Sequence, residues 1–103
     1  MPDVLTVVAK IHPKPGHEAD VQALLMQMAE AVRTHEPDCL VYRPHVREGR
    51  DGQPAVFYFY EQYRSDAAFE FHKTAPHLAG FRGRMKDFLA KPTEIELYRS
   101  LTD

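Results

Sequence analysis

Residues 55–81 read AVFYFYEQYRSDAAFEFHKTAPHLAGF, and this stretch decides the fold. Its first nine residues alternate as a strand does. Phe57, Phe59, Glu61 and Tyr63 share one face, and Val56, Tyr58, Tyr60 and Gln62 share the other. Both faces are largely apolar or aromatic, which predicts a central strand covered on both sides over Ala55 to Tyr63. Ser65-Asp66 then opens a helix, with Ser65 as N-cap and Asp66 in the first turn. The helix is expected to run to about Thr74, where Pro76 breaks it. A second helix is expected over about His77 to Ala90, with Leu78, Phe81, Met85 and Phe88/Leu89 on one face.

On the N-terminal side, Val4 to His12 (VLTVVAKIH) is a strand stopped by Pro13-Lys14-Pro15-Gly16. His17 to Glu36 carries Val21, Leu24, Leu25, Met28 and Val32 at helical spacing, with Glu18 and Asp20 in the first turn and Pro37 as the stop. Cys39 to Arg47 is a strand that contains Pro44, so it is expected at a sheet edge or with a bulge near residue 44. Asp51-Gly52, within Glu48 to Gln53, is a hairpin-turn signal. After Pro92, Thr93 to Leu101 alternates Ile95, Leu97 and Arg99 against Glu94, Glu96 and Tyr98 as a last strand.

The order β-α-β-β-α-α-β predicts an α+β fold: a ferredoxin-like split βαβ sandwich, with helices on one face of a four-stranded antiparallel sheet. Helices on one face leave the other face of the third strand aromatic and uncovered. Two sheets packed face to face would cover it, so a homodimer through the sheet face, a dimeric α+β barrel, is expected.

The chain has 103 residues, expected to form a single domain over residues 1–103. With 44% hydrophobic and 27% charged residues, it has the composition of a folded chain rather than a disordered one. A net charge of −2 argues against a nucleic-acid partner, which would require a concentrated basic face. No apolar run approaches the roughly 20 residues of a membrane span. Without a visible secretory leader, and with one cysteine, a cytoplasmic location is expected. Cys39 reads as packing and excludes every cysteine-based zinc pattern. No glycine-rich phosphate cradle is present.

Among the candidate site residues, His72 falls three positions after Phe69, on the inner side of its helix. Two readings stand for it: a general base at a pocket between helix and sheet, or a structural histidine paired with Glu61 or Tyr63. His77 either lines the pocket mouth or caps the next helix. The five-residue separation of the two histidines, with a proline between, does not read as a metal pair on one helix face. Glu61, among aromatics, must be paired if buried: it orients His72 or Tyr63, or it holds Arg82 or Arg84.

The segment YEQYRSDAAFEFHKTAPHLAGF, residues 60–81, resembles the antibiotic biosynthesis monooxygenase family. The matching positions are Glu61, Tyr63, Ser65, Phe69, His72, His77 and Phe81. Pro37-Asp38-Cys39-Leu40-Val41-Tyr42 resembles the family's preceding stretch, and Pro92 to Leu101 its closing strand. The resemblance implies an oxygenase without cofactor that oxidises a small aromatic quinol, phenol or anthrone-like molecule with O₂. His72 would then be the base, Glu61 would orient and Tyr63 would line. His77, Phe59, Phe69, Phe81 and Arg84 would bind substrate, and no metal is implied. Related heme-degrading enzymes use an asparagine in the first strand, a tryptophan in the helix and a later histidine ligand. None stands at the matching positions here, so heme is not expected. The same superfamily also contains small isomerases and non-catalytic ligand-binding dimers, and this second reading stays open; Arg82, Arg84 and Lys86 would suit an anionic ligand.

Overall fold

The structure is a computed structural model and describes residues 3–102. In chain order its elements are β1 (Leu5–Ile11), α1 (Glu18–His35), β2 (Cys39–Val46), β3 (Phe57–Tyr63), α2 (Asp66–Lys73), α3 (Pro76–Met85), a 3₁₀ turn (Lys86–Phe88) and β4 (Glu94–Tyr98). The four strands form one antiparallel sheet in the order β2-β3-β1-β4. This is the ferredoxin-like α+β arrangement expected from the order of elements.

Several boundaries differ from the sequence reading. The last helix ends at Met85 and tightens into a 3₁₀ turn instead of continuing to Ala90. Pro76 does not only break α2; it stands at the first turn of α3, where its missing N–H costs nothing. The strand expected over Thr93 to Leu101 is shorter, Glu94–Tyr98. Ser65 caps α2 as expected, accepting the Ala68 N–H at 3.2 Å.

Register assigns the faces. Leu5, Val7, Ala9 and Ile11 of β1 pair with Tyr63, Glu61, Phe59 and Phe57 of β3, and all eight are buried. Above them lie Val21, Leu24, Leu25, Met28 and Val32 of α1, with Leu78 and Met85 of α3. A second cluster gathers Tyr63 and Phe69 with Leu5 and Val7 at the α2 end. Tyr58, Tyr60 and Gln62 occupy the opposite face and stay half-buried.

β2 is an edge strand, as Pro44 suggests, but the register break lies at Cys39/Val41 rather than near residue 44. Cys39 pairs with Tyr63, then Val41 with Gln62 and Tyr42 with Glu61. The residue gained at the bulge exchanges the faces of everything that follows. Tyr42 therefore joins the helix-covered side, stacked on Phe59 with ring centroids 4.1 Å apart.

The helices leave β4 bare. Ile95 and Leu97 pair with Ala9 and Val7, so they belong to the helix-covered side, yet they are 59% and 56% exposed. Leu78, fully buried between α3 and the core, should tolerate truncation poorly. Leu78→Ala is expected to destabilise the fold by about 2–5 kcal/mol, read as a lowered urea midpoint with unchanged slope.

Candidate functional site

A cavity of about 280 Å³ opens between the sheet and the helices. Ala9, Ile11, Leu25, Met28, Phe59 and Met85 make its apolar wall, and Tyr42, Glu61, His72 and Arg82 bring polar groups to it. Half-buried Leu89 and Thr93 and exposed Ile95 mark where it meets solvent beside β4. An apolar pocket with a few convergent polar groups suits a small aromatic guest.

Each polar group arrives by a separate route. Glu61 projects from β3 because the alternation that buries Phe57 and Phe59 also buries position 61. Its Oε1 accepts the Tyr63 hydroxyl at 2.6 Å. Burial outweighs that hydrogen bond and pushes the carboxyl up to about 7. Its other oxygen has no hydrogen-bond partner among the described residues. No fully buried side-chain oxygen or nitrogen is left unpartnered, so that oxygen reaches open space, and the space it lines is the cavity. Tyr42 arrives through the bulge, and burial raises its phenol well above the usual range.

Arg82 comes from α3. Its guanidinium donates to the carbonyls of Lys73 and His72 at 2.8 and 3.0 Å, closing the C-terminal end of α2.

His72 stands in the last turn of α2, on its buried side. Its Nδ1 lies 3.0 and 3.1 Å from the two carboxyl oxygens of Glu36. Neither Glu61 nor Tyr63, the partners expected from sequence, hydrogen-bonds to it; the Tyr63 ring only tilts against it at 5.3 Å. Nε2 has no partner among the described residues and, by the same argument as for Glu61, reaches the cavity. Burial holds the imidazole below its ordinary pKa and so favours the neutral ring.

His77 does not cap α3, whose N-cap is Ala75. Its Nε2 lies 2.6 Å from Glu36, and its ring stacks on His35. The two histidines do converge, because they stand on different helices and helical spacing does not govern them. Among the described residues no group of three or more His, Cys, Asp or Glu side chains is arranged to hold a metal ion.

The remaining sequence candidates divide. Phe59 lines the cavity. Tyr63 is wholly enclosed and Phe69 packs on it in the second cluster, so neither lines the cavity. Phe81 packs against the main core without reaching the cavity, and exposed Arg84 lies over its ring at 5.1 Å. Burial pushes the Cys39 thiol up to about 12, as suits a packing residue.

Sequence reasoning missed Glu36. One signal was available: Val21, Leu25, Met28, Val32 and Glu36 follow one helix face, so a carboxylate falls where the next apolar residue belongs.

The family model for antibiotic biosynthesis monooxygenase matches residues 4–84. An uncharacterized protein of Synechocystis, sll1783, is 33% identical over 97 residues, which cover 94% of this chain and 63% of that relative. The chain thus spans less than two thirds of that relative's length. Among solved structures, PA3566 from Pseudomonas aeruginosa is 30% identical with a TM-score of 0.83, covering 99% of this chain and 98% of that one. Rv0793 from Mycobacterium tuberculosis is 27% identical with a TM-score of 0.81, covering 97% of both.

Glu61 makes stability depend on pH in a direction opposite to most carboxylates. The unfolded carboxyl ionises near 4.5, while the folded one keeps its proton to about 7. Its stabilising contribution is therefore full below 4.5 and lost as pH rises through 7. Glu61→Gln should gain on the wild type by up to about 3 kcal/mol between pH 4.5 and pH 8. Urea unfolding of both proteins at the two pH values measures this; a constant difference would refute it.

Proposed function

The chain belongs to the antibiotic biosynthesis monooxygenase family, and on that premise we propose that it oxidises a small electron-rich quinol, phenol or anthrone-like aromatic with molecular oxygen. The observation that carries the proposal is His72, whose unpartnered Nε2 opens onto an apolar cavity beside Arg82 and Glu61. A weakly basic, neutral imidazole at that position is suited to take a phenolic proton near neutral pH.

The steps balance for a quinol. Nε2 takes one hydroxyl proton, and the positive charge of Arg82 on the cavity wall favours the anion that remains. The anion passes one electron to O₂, giving a semiquinone radical and superoxide. Transfer of the second electron and second proton leaves quinone and the hydroperoxide anion. That anion recovers the proton held by His72 and departs as hydrogen peroxide. For an anthrone-like methylene, carbon–oxygen bond formation followed by loss of water gives a carbonyl instead. The apolar wall of Leu25, Met28, Phe59 and Met85 is suited to exclude water from the radical pair.

The test is oxygen uptake by purified, metal-free protein with a menadiol-like quinol. The wild type should exceed the spontaneous rate, and His72→Gln should lose about 100-fold or more of that excess. A wild-type rate equal to the spontaneous one would rule the oxidase reading out.

The homodimer belongs to the same proposal. Support comes from the open sheet face, where Tyr98 is exposed on β4 and Tyr58 and Tyr60 of β3 are only half covered. Light scattering at micromolar concentration should give twice the 11.9 kDa of one chain.

A further inference from the structure

Glu36 follows the last residue of α1, and its side chain is 2% exposed. Its backbone is tied on both sides: its N–H donates to the Val32 carbonyl at 2.8 Å, and its carbonyl accepts the Cys39 N–H at 3.0 Å. A buried carboxylate without donors costs several kcal/mol. Among the described residues, neither lysine nor arginine is its partner. The groups that meet it are two imidazoles: His72 through Nδ1, and His77 through Nε2.

A carboxylate accepts hydrogen bonds and cannot donate them, so both facing nitrogens must carry hydrogen. A neutral imidazole has one N–H. With that hydrogen on Nδ1, the Nε2 of His72 is a bare lone pair, and this is the nitrogen on the cavity wall. The second donor, His77, holds Oε2, one of the two Glu36 oxygens that face His72, so the carboxylate cannot swing away from His72 without losing a 2.6 Å hydrogen bond.

We propose that Glu36 is the positioning residue of this site: it fixes His72 in the Nδ1–H tautomer with Nε2 bare toward the cavity, and its charge offsets the imidazolium that forms when a substrate proton arrives. The proposal rests on the reading of His72 as the base and adds to it the group that makes the ring a base. The other titratable or charged groups around His72 are Tyr42 of β2, Glu61 and Tyr63 of β3, and His77 and Arg82 of α3. Burial, Arg82 and His77 all disfavour the imidazolium, and Glu36 is what counters them, by charge and by hydrogen bond.

Long-range ¹H–¹⁵N spectra of the histidine rings test this directly. In the wild type near neutral pH, His72 should show a protonated Nδ1 and a bare Nε2. In Glu36→Gln the carboxamide can present oxygen or NH₂ to the ring. The tautomer should become mixed or inverted, and His72 should titrate at lower pH than in the wild type. With the quinol, kcat should fall about 100-fold while KM stays within about twofold, and Glu36→Asp should recover part of the loss. A wild-type ring protonated on Nε2, or a Glu36→Gln variant with unchanged tautomer and kcat, overturns the proposal. The wild-type spectrum requires neither turnover nor a folded variant. If it is as expected while no form consumes oxygen, the oxidase reading fails and the hold of Glu36 on His72 stands.

Discussion

A carboxylate taken out of water must be met by donors, and around Glu36 that requirement organises three helices at once. The residue closes α1, His72 stands in the last turn of α2 and His77 sits in the first turn of α3. Both imidazoles reach the same carboxyl group, at 2.6 to 3.1 Å. Losing either one would leave a buried charge short of a donor, a cost of several kcal/mol in a fold whose whole stability is of that order or a few times larger. The turn between α2 and α3 is held by the same need, and Arg82 reinforces it by reaching back to the last carbonyls of α2.

The cavity follows from that arrangement and from one irregularity in the sheet. α1 and α3 cover β1, β3 and the bulged edge strand β2, but not β4. The space they enclose is apolar, and three of its polar groups come from different elements: Tyr42 from the bulge, Glu61 from the regular alternation of β3, and His72 from the end of α2. Low polarity in that space acts on the acids and on the base in opposite senses. It raises Glu61 and Tyr42 and lowers His72, so each is driven toward its neutral form. Groups driven toward neutrality beside one guanidinium are what the proposed proton abstraction requires.

Much of this was legible in the residues. Ser65 as a cap, the apolar face of α1 and the two-sided strand 57–63 each rest on local periodicity, which the backbone geometry of a helix or strand imposes. Glu61 and His72 stand out because a charged or titratable group sits at a position that periodicity buries. The bond between Glu61 and Tyr63 was among the pairings the residues offered, but the partner of His72 was not legible. Glu61 and Tyr63 are two residues apart on one strand face, and they do bond; His72 and Glu36 are 36 positions apart, and nothing local links them. Spacing along the chain was equally silent on the meeting of His72 and His77 at one carboxylate, because they stand on separate helices joined by a proline turn. Pro44 marks β2 as an edge strand, but the register break lies at Cys39/Val41, where no proline or glycine signals it.

By itself, then, the sequence determined the order of elements, the buried faces of β1, α1 and β3 and the antiparallel sheet, because these depend on patterns that repeat within a few residues. The tertiary structure alone decided which carboxylate holds His72, that Tyr63 is sealed in the core rather than lining a pocket, and that Tyr42 turns toward the cavity. Those outcomes depend on where separate elements meet, and on a one-residue bulge that moves every later side chain of β2 to the other face.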